Sequence, residues 1–433
     1  MAPGLRPLVT TDRNGAVVRL GDLLRAARHA RGLTIEETCA LAGVGVRTLS
    51  DVERHRITRP HRRTVEALVE VLGVVESDRR AIWAAARPVG EQQPPQPNRL
   101  IGRDREAASF RAWLDGRPGA DVRPVVVSGL PGAGKTAFAR WMIQESASRF
   151  PGGAVVAELG GSGTAAALRL LLRQLGEPDD RIPDSVDEQG RRFRALLREQ
   201  PRSIVLDDAA GEADVRPLLP DEGPSLVIVT SRHVLGGLAA AHRVPLGELD
   251  VEHAAALIGT LAGPERVDAE PGAAAELARL CGYLPLALCA VANRLASRPD
   301  WRLADHVERL RSQDDRLTRL SSGDAQVRTA LQSHWRRLND RQRESFRRLA
   351  LAGPGPVTAR SAAALFGTTV EAADEALEEL ADGSLLTPEP VGRDYRLNSV
   401  LRLFARELLA DVASAADVER RRERPAGPSA FRR

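Results

Sequence analysis

The stretch Gly129-Leu130-Pro131-Gly132-Ala133-Gly134-Lys135-Thr136 decides the fold of this 433-residue chain. It fits the pattern G-x-x-x-x-G-K-S/T, in which backbone N–H groups of a glycine-rich loop surround phosphate groups. Lys135 is the single lysine among 62 basic residues. An arginine fork cannot replace a compact ammonium between two phosphates, so the lysine stands where this chemistry requires one. The stretch predicts a phosphate-binding loop; the alternative, an ordinary glycine-rich turn, would leave the position of the lysine to chance.

Apolar runs around this loop predict a parallel β-sheet. Residues 124–128 form a strand that enters the loop, and residues 136–143 form the helix that leaves it. Further apolar runs occur at residues 154–157, 203–208 and 225–230. Strands that are buried on both faces have this composition, and their alternation with helices is typical of an α/β domain with a parallel sheet.

Polar residues at the ends of two strands are candidates for the chemistry of the site. Asp207 is expected to bind Mg²⁺ together with the hydroxyl of Thr136, and Asp208 is expected to orient the attacking water. Arg232 follows the next strand and is expected to reach the γ-phosphate. A solvated Asp-Asp pair and a surface arginine are the alternatives. Because no acceptor-substrate signature is found, the pattern favours a switch or a slow ATPase over a kinase.

The N-terminal part of the chain is basic. Residues 1–90 contain 15 arginines and 10 acidic residues, whereas the whole chain has a formal net charge of +4. A small basic unit favours an acidic partner such as nucleic acid. An arginine-rich solvated surface explains the charge equally well.

Short amphipathic helices in residues 20–87 predict a helix-turn-helix. Thr34-Ile35-Glu36-Glu37 is a capping box that opens the second helix, and the third helix buries Leu49 and Val52. In such folds this third helix lies in the major groove of double-stranded DNA. The candidate DNA contacts are Arg47, Thr48, Ser50, Asp51, Arg54 and Arg56. A small helical module for protein interaction is the alternative.

Composition also predicts how the chain is divided. The predicted segments are a flexible N-terminus at 1–18, the helix-turn-helix domain at 19–88, a Pro- and Gln-rich linker at 89–99, the α/β domain at 100–248, a helical region at 249–320, helices followed by a hairpin at 321–411, and a basic, disordered tail at 412–433. Cys39, Cys281 and Cys289 are expected to be small buried hydrophobes. A signal peptide and a membrane span are not predicted, which favours a cytoplasmic protein.

Two family resemblances follow from these motifs. Residues 20–87 resemble the Xre-type helix-turn-helix, and residues 100–410 resemble the NB-ARC module of STAND-class switch ATPases. The latter rests on Ile101-Gly102-Arg103-Asp104-Arg105-Glu106, on Asp207-Asp208, on Thr230-Ser231-Arg232, and on Gly282 to Leu288. The resemblance implies a P-loop NTPase domain, a helical ARC subdomain at 249–320 and a winged-helix subdomain at 321–411.

The resemblance also implies which residues hold the nucleotide. Ile101 and Arg103 would touch adenine, and Pro285 would pack against it. The expected ATP- or ADP-binding residues are Ile101, Arg103, Gly129, Gly132, Gly134, Lys135, Thr136, Ala137, Pro285 and Asn398.

Asn398 marks a departure from the family. The family has a histidine here, which contacts the β-phosphate of ADP and holds the closed state. Asn398 can donate a neutral hydrogen bond but cannot carry a positive charge, and charge-assisted bonds are roughly twice as strong. We therefore hypothesise a weaker ADP lock, which the ADP dissociation rate of Asn398→His would test.

The sequence as a whole predicts a nucleotide-switched, DNA-binding transcription regulator of bacterial type. ATP would favour an open, self-associating form, and the inducing signal would come from a ligand or a separate sensor protein. A defence or signalling ATPase with a protein-interaction head is the alternative, and a scaffold that permanently holds ADP is a third hypothesis.

Overall fold

The computed structural model describes residues 20–54, 62–74, 82, 100–117, 122–160, 163–312, 316–322 and 325–423. The chain forms two compact units, residues 1–99 and residues 100–433. The predictions for the N-terminus, the linker and Arg56 lie outside the described residues.

The first unit is built from helices. Their bounds are Leu20–Ala30 (α1), Ile35–Ala42 (α2), Val46–Glu53 (α3) and Arg62–Leu72 (α4). The predicted capping box opens α2: the Glu37 amide donates to Thr34 Oγ1 (3.1 Å), and the Thr34 amide donates to Glu37 Oε2 (2.8 Å). Gly43 ends α2 with a left-handed φ of 63°, which glycine adopts without steric cost.

A buried ion pair between α1 and α3 stabilises this unit in addition to its apolar core. Glu53, at the end of α3, has a side chain that is only 3% exposed. Arg28 of α1 donates to both of its carboxylate oxygens, at 2.8 and 2.7 Å, and Arg25 pairs with it from the same helix. Helical periodicity predicts the apolar core correctly, but it does not predict this contact between α1 and α3.

The second unit contains the predicted parallel sheet. Its strands are Val125–Gly129 (β1), Ala154–Glu158 (β2), Ser203–Ala209 (β3), Leu226–Ser231 (β4) and His242–Leu246 (β5). They pair in the order β2-β3-β4-β1-β5, and every pairing is parallel. The sequence patterns predict the first four strands and miss β5, an edge strand with a histidine, an arginine and a proline.

Helices cover both faces of the sheet. They are Asp104–Asp115 (α5), Lys135–Ser146 (α6), Gly163–Gln174 (α7), Val186–Glu199 (α8) and the short Glu212–Val215 (α9). Alternate residues of β1 show why both faces are buried, since Val126 packs in a cluster with α7 and α8 while Val125 and Val127 pack in a second cluster with α5 and α6. The carboxyl ends of β1, β3 and β4 consequently meet at one edge.

The remainder of this unit is mainly helical. Its helices are Val251–Ala262 (α10), Pro264–Ala269 (α11), Pro271–Leu280 (α12), Pro285–Ala296 (α13), Leu303–Arg311 (α14), Arg316–Arg319 (α15), Val327–Trp335 (α16), Asp340–Arg348 (α17), Ala359–Phe366 (α18), Val370–Asp382 (α19) and Ser399–Glu423 (α20). Two short antiparallel pairs accompany them, Ser321–Ser322 (β6) with Ala325–Gln326 (β7), and Thr387–Pro388 (β8) with Tyr395–Arg396 (β9). The β8–β9 hairpin lies where the sequence predicts one.

The C-terminal end of this unit is helical further than the sequence predicts. The tail was expected to be disordered from residue 412, but α20 continues to Glu423. Its alanine, arginine and glutamate residues have high helix propensity, and this outweighs their lack of apolar periodicity. Within the described part of the chain, no helix has the length and apolar character needed to span a membrane.

Replacing Glu53 by Gln should destabilise the first unit selectively. The variant leaves the buried Arg28 charge without a counter-charge, and breaking such a pair costs about 3 kcal/mol. Amide hydrogen exchange on the full chain should become faster in residues 20–54 and stay unchanged in residues 122–160. The exposed Glu70→Gln is the matched control; equal exchange in both variants would refute this role for the ion pair.

Candidate functional site

The glycine-rich loop joins β1 to α6 with a backbone that only glycine tolerates. Gly129, Gly132 and Gly134 have φ values of 144°, 85° and 93°. At Gly129 a Cβ atom would lie 2.0 Å from the carbonyl oxygen of Leu246 in β5, so the strand and the loop approach too closely for any side chain. This conformation leaves the amides at the start of α6 available to an anion.

Lys135 is the first residue of α6, and its side chain folds back onto the glycine-rich loop. Its Nζ donates to the carbonyl oxygens of Gly129 (2.8 Å) and Leu130 (3.0 Å). Burial, together with the nearby Arg232, lowers the pKa of this ammonium to about 8, while Asp208 and Asp207 act in the opposite direction. A bound phosphate would supply a negative counter-charge for this ammonium group.

Thr136 and Asp207, the two oxygen ligands predicted for a magnesium ion, are in hydrogen-bond contact. Thr136 Oγ1 donates to the Asp207 carboxylate at 3.0 and 3.1 Å, and Thr230 of β4 donates to the same carboxylate. Hydroxyl and carboxylate oxygens suit Mg²⁺, which completes its shell with water and substrate phosphates. In the described part of the chain no group of three His, Cys, Asp or Glu residues could hold a metal by itself. Thr136 and Asp207 thus offer two of the oxygen ligands that a hydrated Mg²⁺ ion takes.

Asp208 is engaged by two arginines. Arg232 donates Nε to Oδ1 (2.9 Å) and Nη2 to Oδ2 (3.3 Å), and Arg337 donates Nη2 to Oδ2 (2.8 Å). Asp208 itself has a left-handed φ of 59°, which is uncommon outside glycine and occurs at functional sites. Arg337, which follows α16, was not predicted, because its contact with Asp208 spans 129 residues and no local pattern reports it.

A cavity of about 460 Å³ lies over the loop. It is lined by the loop and the first turn of α6, including Ala137, by the ends of β2, β3 and β4, and by Pro285, Leu286, Cys289 and Ala330. Pro285 lines the cavity, and its predicted contact with adenine stays a prediction. Glu158, at the end of β2, was missed by sequence reasoning although it is a third acidic strand end. Cys289 was expected to be buried, but it is half-buried at the cavity wall.

Arg103 lies beneath the loop and is not among the cavity-lining residues. Its buried guanidinium donates to the carbonyl oxygens of Ala133 (3.1 Å) and Gly247 (2.6 Å) and pairs with Glu106. It therefore braces the loop from behind. Ile101, half-buried, is likewise outside the residues that line the cavity.

Asn398 is also away from the cavity lining. It is 4% exposed, and its Nδ2 donates to Glu248 Oε1 (2.6 Å) and to the Gly282 carbonyl (2.8 Å). Its Oδ1 accepts a hydrogen bond from the Val400 amide (2.8 Å). Asn398 thus fastens the start of α20 to the turn at Gly282, and its predicted contact with ADP stays a prediction.

The candidate DNA contacts share α3 and its end. Thr48, Ser50 and Asp51 are half-buried, and Arg54 is exposed. Leu49 and Val52 face the core, each 1% exposed. The Arg47 side chain and Arg56 lie outside the described residues, so α3 presents a polar face for part of the predicted set only.

Residues 19–82 match a protein-family model described as a helix-turn-helix domain. Together with the parallel sheet and the glycine loop at the carboxyl end of β1, this match defines a helix-turn-helix unit followed by an α/β module of the P-loop ATPase type and a helical C-terminal region.

Curated relatives are similar to this chain in sequence. The chain is 34% identical over 343 residues to the regulatory protein AfsR of Streptomyces griseus. This alignment covers 76% of this chain and 35% of that protein. It is 35% identical over 285 residues to AfsR of Streptomyces coelicolor, covering 65% of this chain and 29% of the relative. The chain thus spans about a third of the length of the curated relatives it matches.

Solved structures resemble the chain more distantly. A Walker-type ATPase of Pyrococcus abyssi covers 71% of this chain and 95% of its own, with 14% identity and a TM-score of 0.48. The ORC2 protein of Aeropyrum pernix covers 74% of this chain and 95% of its own, with 15% identity and a TM-score of 0.42.

Gly129→Ala should destabilise the second unit by about 3 kcal/mol or more, because the methyl group meets a backbone carbonyl and the positive φ adds strain. The measurement is the urea-unfolding midpoint. Gly211→Ala is the control, since a Cβ at Gly211 would meet nothing within 4 Å. Similar midpoints for the two variants would contradict the close approach of β1 and β5.

Proposed function

We propose that this chain is a DNA-binding transcription regulator whose P-loop module binds ATP or ADP with Mg²⁺ and switches its activity. The observation that carries the proposal is the contact of Thr136 with Asp207 at the mouth of a glycine-rich loop, in a chain whose N-terminal unit matches a helix-turn-helix family. The two curated relatives, both described as regulatory proteins, support the same conclusion.

The phosphates of the nucleotide would lie against the N-terminus of α6. The loop amides and Lys135 bind them, and the Thr136 hydroxyl with Asp207 holds the magnesium ion, which neutralises phosphate charge when bound. Pro285 and Leu286 lie at the cavity wall and offer an apolar surface to the base. Ile101 is proposed to complete this wall in the nucleotide-bound form.

Slow hydrolysis is consistent with the geometry around the strand ends. Both Asp208 oxygens accept hydrogen bonds from arginines, so this carboxylate is poorly placed to accept a proton from water. Glu158 is exposed at the neighbouring strand end and lines the cavity, which makes it the better candidate for orienting water. A site of this kind reports which nucleotide is bound more readily than it turns over substrate.

The switch would act through contacts between the C-terminal helical region and the sheet. Arg337 and Asn398 both belong to this region and contact residues at or near the carboxyl ends of the strands. A nucleotide shifts such an arrangement only by binding one state more tightly than the other. We propose that ATP favours an open, self-associating form and that the Xre, NB-ARC and winged-helix resemblances describe these parts.

Lys135→Ala should weaken nucleotide binding strongly. Loss of the ammonium removes a charge-assisted contact to the phosphates, and we expect the Kd for Mg-ATP to rise by about 100-fold. Titration with a fluorescent ATP analogue measures this. Arg140→Ala removes an exposed charge from the same helix and serves as the control; unchanged affinity in Lys135→Ala would refute the phosphate-loop assignment.

Arg54→Ala should weaken DNA binding and reduce its salt dependence. Losing one phosphate contact lowers the slope of log K against log salt by about 1. Fluorescence anisotropy with a mixed-sequence duplex gives both quantities, with the exposed Arg360→Ala as the control. If the parent chain shows no salt-dependent binding, the N-terminal unit is a protein-interaction head, as the alternative hypothesis holds.

A further inference from the structure

Several buried nitrogen atoms around Asp208 have no hydrogen-bond partner among the described residues. They are Nη1 of Arg232, Nη1 of Arg337, and both ring nitrogens of His334. His334 is only 1% exposed. Buried polar atoms nearly always have a partner, so several unpaired ones in one place require an explanation, such as a ligand that they bind.

Asp208 binds both arginines in a way that leaves Nη1 of each guanidinium group unpaired. Asp208 accepts Nε and Nη2 of Arg232 and Nη2 of Arg337. A guanidinium is a planar fork with donors on more than one edge, and each fork here is fixed by the carboxylate on one side. Nη1 of each arginine is therefore oriented by Asp208 and remains available to a second acceptor.

These donors are next to the phosphate site. Asp208, Arg232 and Lys135 all line the cavity, and Ala330 of α16 lines it from the C-terminal region. His334 follows Ala330 by four residues, so both lie on the same face of α16. The Arg337 amide donates to the His334 carbonyl (3.0 Å), which places Arg337 directly after this helix.

The charges around these donors favour an incoming anion. Lys135, Arg232 and Arg337 carry three positive charges, and Asp207 and Asp208 carry two negative ones. Burial lowers the pKa of His334 well below its ordinary value, and the nearby Arg232, His233, Lys135 and Arg337 lower it further. Phosphate oxygens would accept from Nη1 of each arginine and from the single N–H of the neutral His334 ring, and they would offset the excess positive charge.

We propose that Arg337 and His334 contact the terminal phosphate of a bound nucleoside triphosphate together with Arg232. The end of α16 would then read directly whether the nucleotide is a triphosphate or a diphosphate. Asp208 positions the two guanidinium groups for this contact. The proposal rests on the proposed nucleotide-binding function and adds the residues that distinguish the two nucleotides.

The test compares the Kd values of Mg-ADP and of a slowly hydrolysed Mg-ATP analogue for the full chain. In Arg337→Gln the analogue should bind about ten-fold more weakly while ADP changes little, because only the triphosphate reaches the lost donor. His334→Phe keeps the ring packing and removes both nitrogens, and it should shift the ratio of the two Kd values in the same direction. Arg336→Gln removes an exposed charge from the preceding residue and should leave this ratio unchanged.

An independent variant tests the geometry without altering a donor. At Gly160 a Cβ atom would lie 2.4 Å from Asp208 Oδ2 and 2.7 Å from Arg337 Nη2. Gly160→Ala should therefore displace Arg337 and reproduce the loss of discrimination between the two nucleotides.

The outcomes separate this proposal from the function on which it rests. If the parent chain binds neither nucleotide, the proposed function itself fails. If the parent binds but Arg337→Gln and His334→Phe leave the ratio unchanged, or weaken both nucleotides equally, the contact with the terminal phosphate is refuted. Should Arg337→Gln fail to fold, Arg337→Lys decides, since it keeps the charge beside Asp208 and lacks the second donor edge; an unchanged ratio refutes the proposal.

Discussion

The second unit depends on the way the carbonyl groups of the glycine-rich loop are bound. Lys135 donates hydrogen bonds to the carbonyls of Gly129 and Leu130. The Leu286 amide donates to the carbonyl of Gly132, and Arg103 donates to that of Ala133. With these four carbonyls engaged in hydrogen bonds, the loop can present its amides to an anion. The sheet, α13 and the segment before α5 therefore converge on a single short stretch of backbone.

Local patterns predict much of this architecture. The glycine loop, four of the five strands of the parallel sheet, the capping box at Thr34 and the apolar core of the first unit all depend on neighbours within a few residues. The edge strand β5 was missed because Pro245 and its basic residues weaken the apolar pattern. Strands that are buried on both faces have a continuous run of apolar residues. An edge strand is less buried, so its apolar run is weaker.

Contacts between distant segments could not be predicted in the same way. Nothing near Arg337 or Glu53 in the sequence distinguishes them from other charged residues, since the partner of each lies on another element. For Asn398 the resemblance indicates a contact with the nucleotide, whereas its amide and carbonyl groups bind Glu248, Gly282 and Val400. A buried amide satisfies its own hydrogen bonds first, so its position in a motif does not fix its partner.

Lys135 has a consequence for covalent chemistry. Its side chain carries the single lysine amine of these 433 residues, and a pKa of about 8 leaves more of it deprotonated near neutral pH than in an ordinary lysine. Only the deprotonated amine attacks an acyl donor. Among the side chains of this sequence, acylation of lysine, whether by a reagent or by a modifying enzyme, therefore has one target, and that target lies inside the loop. Such a modification would remove the charge on which phosphate recognition depends.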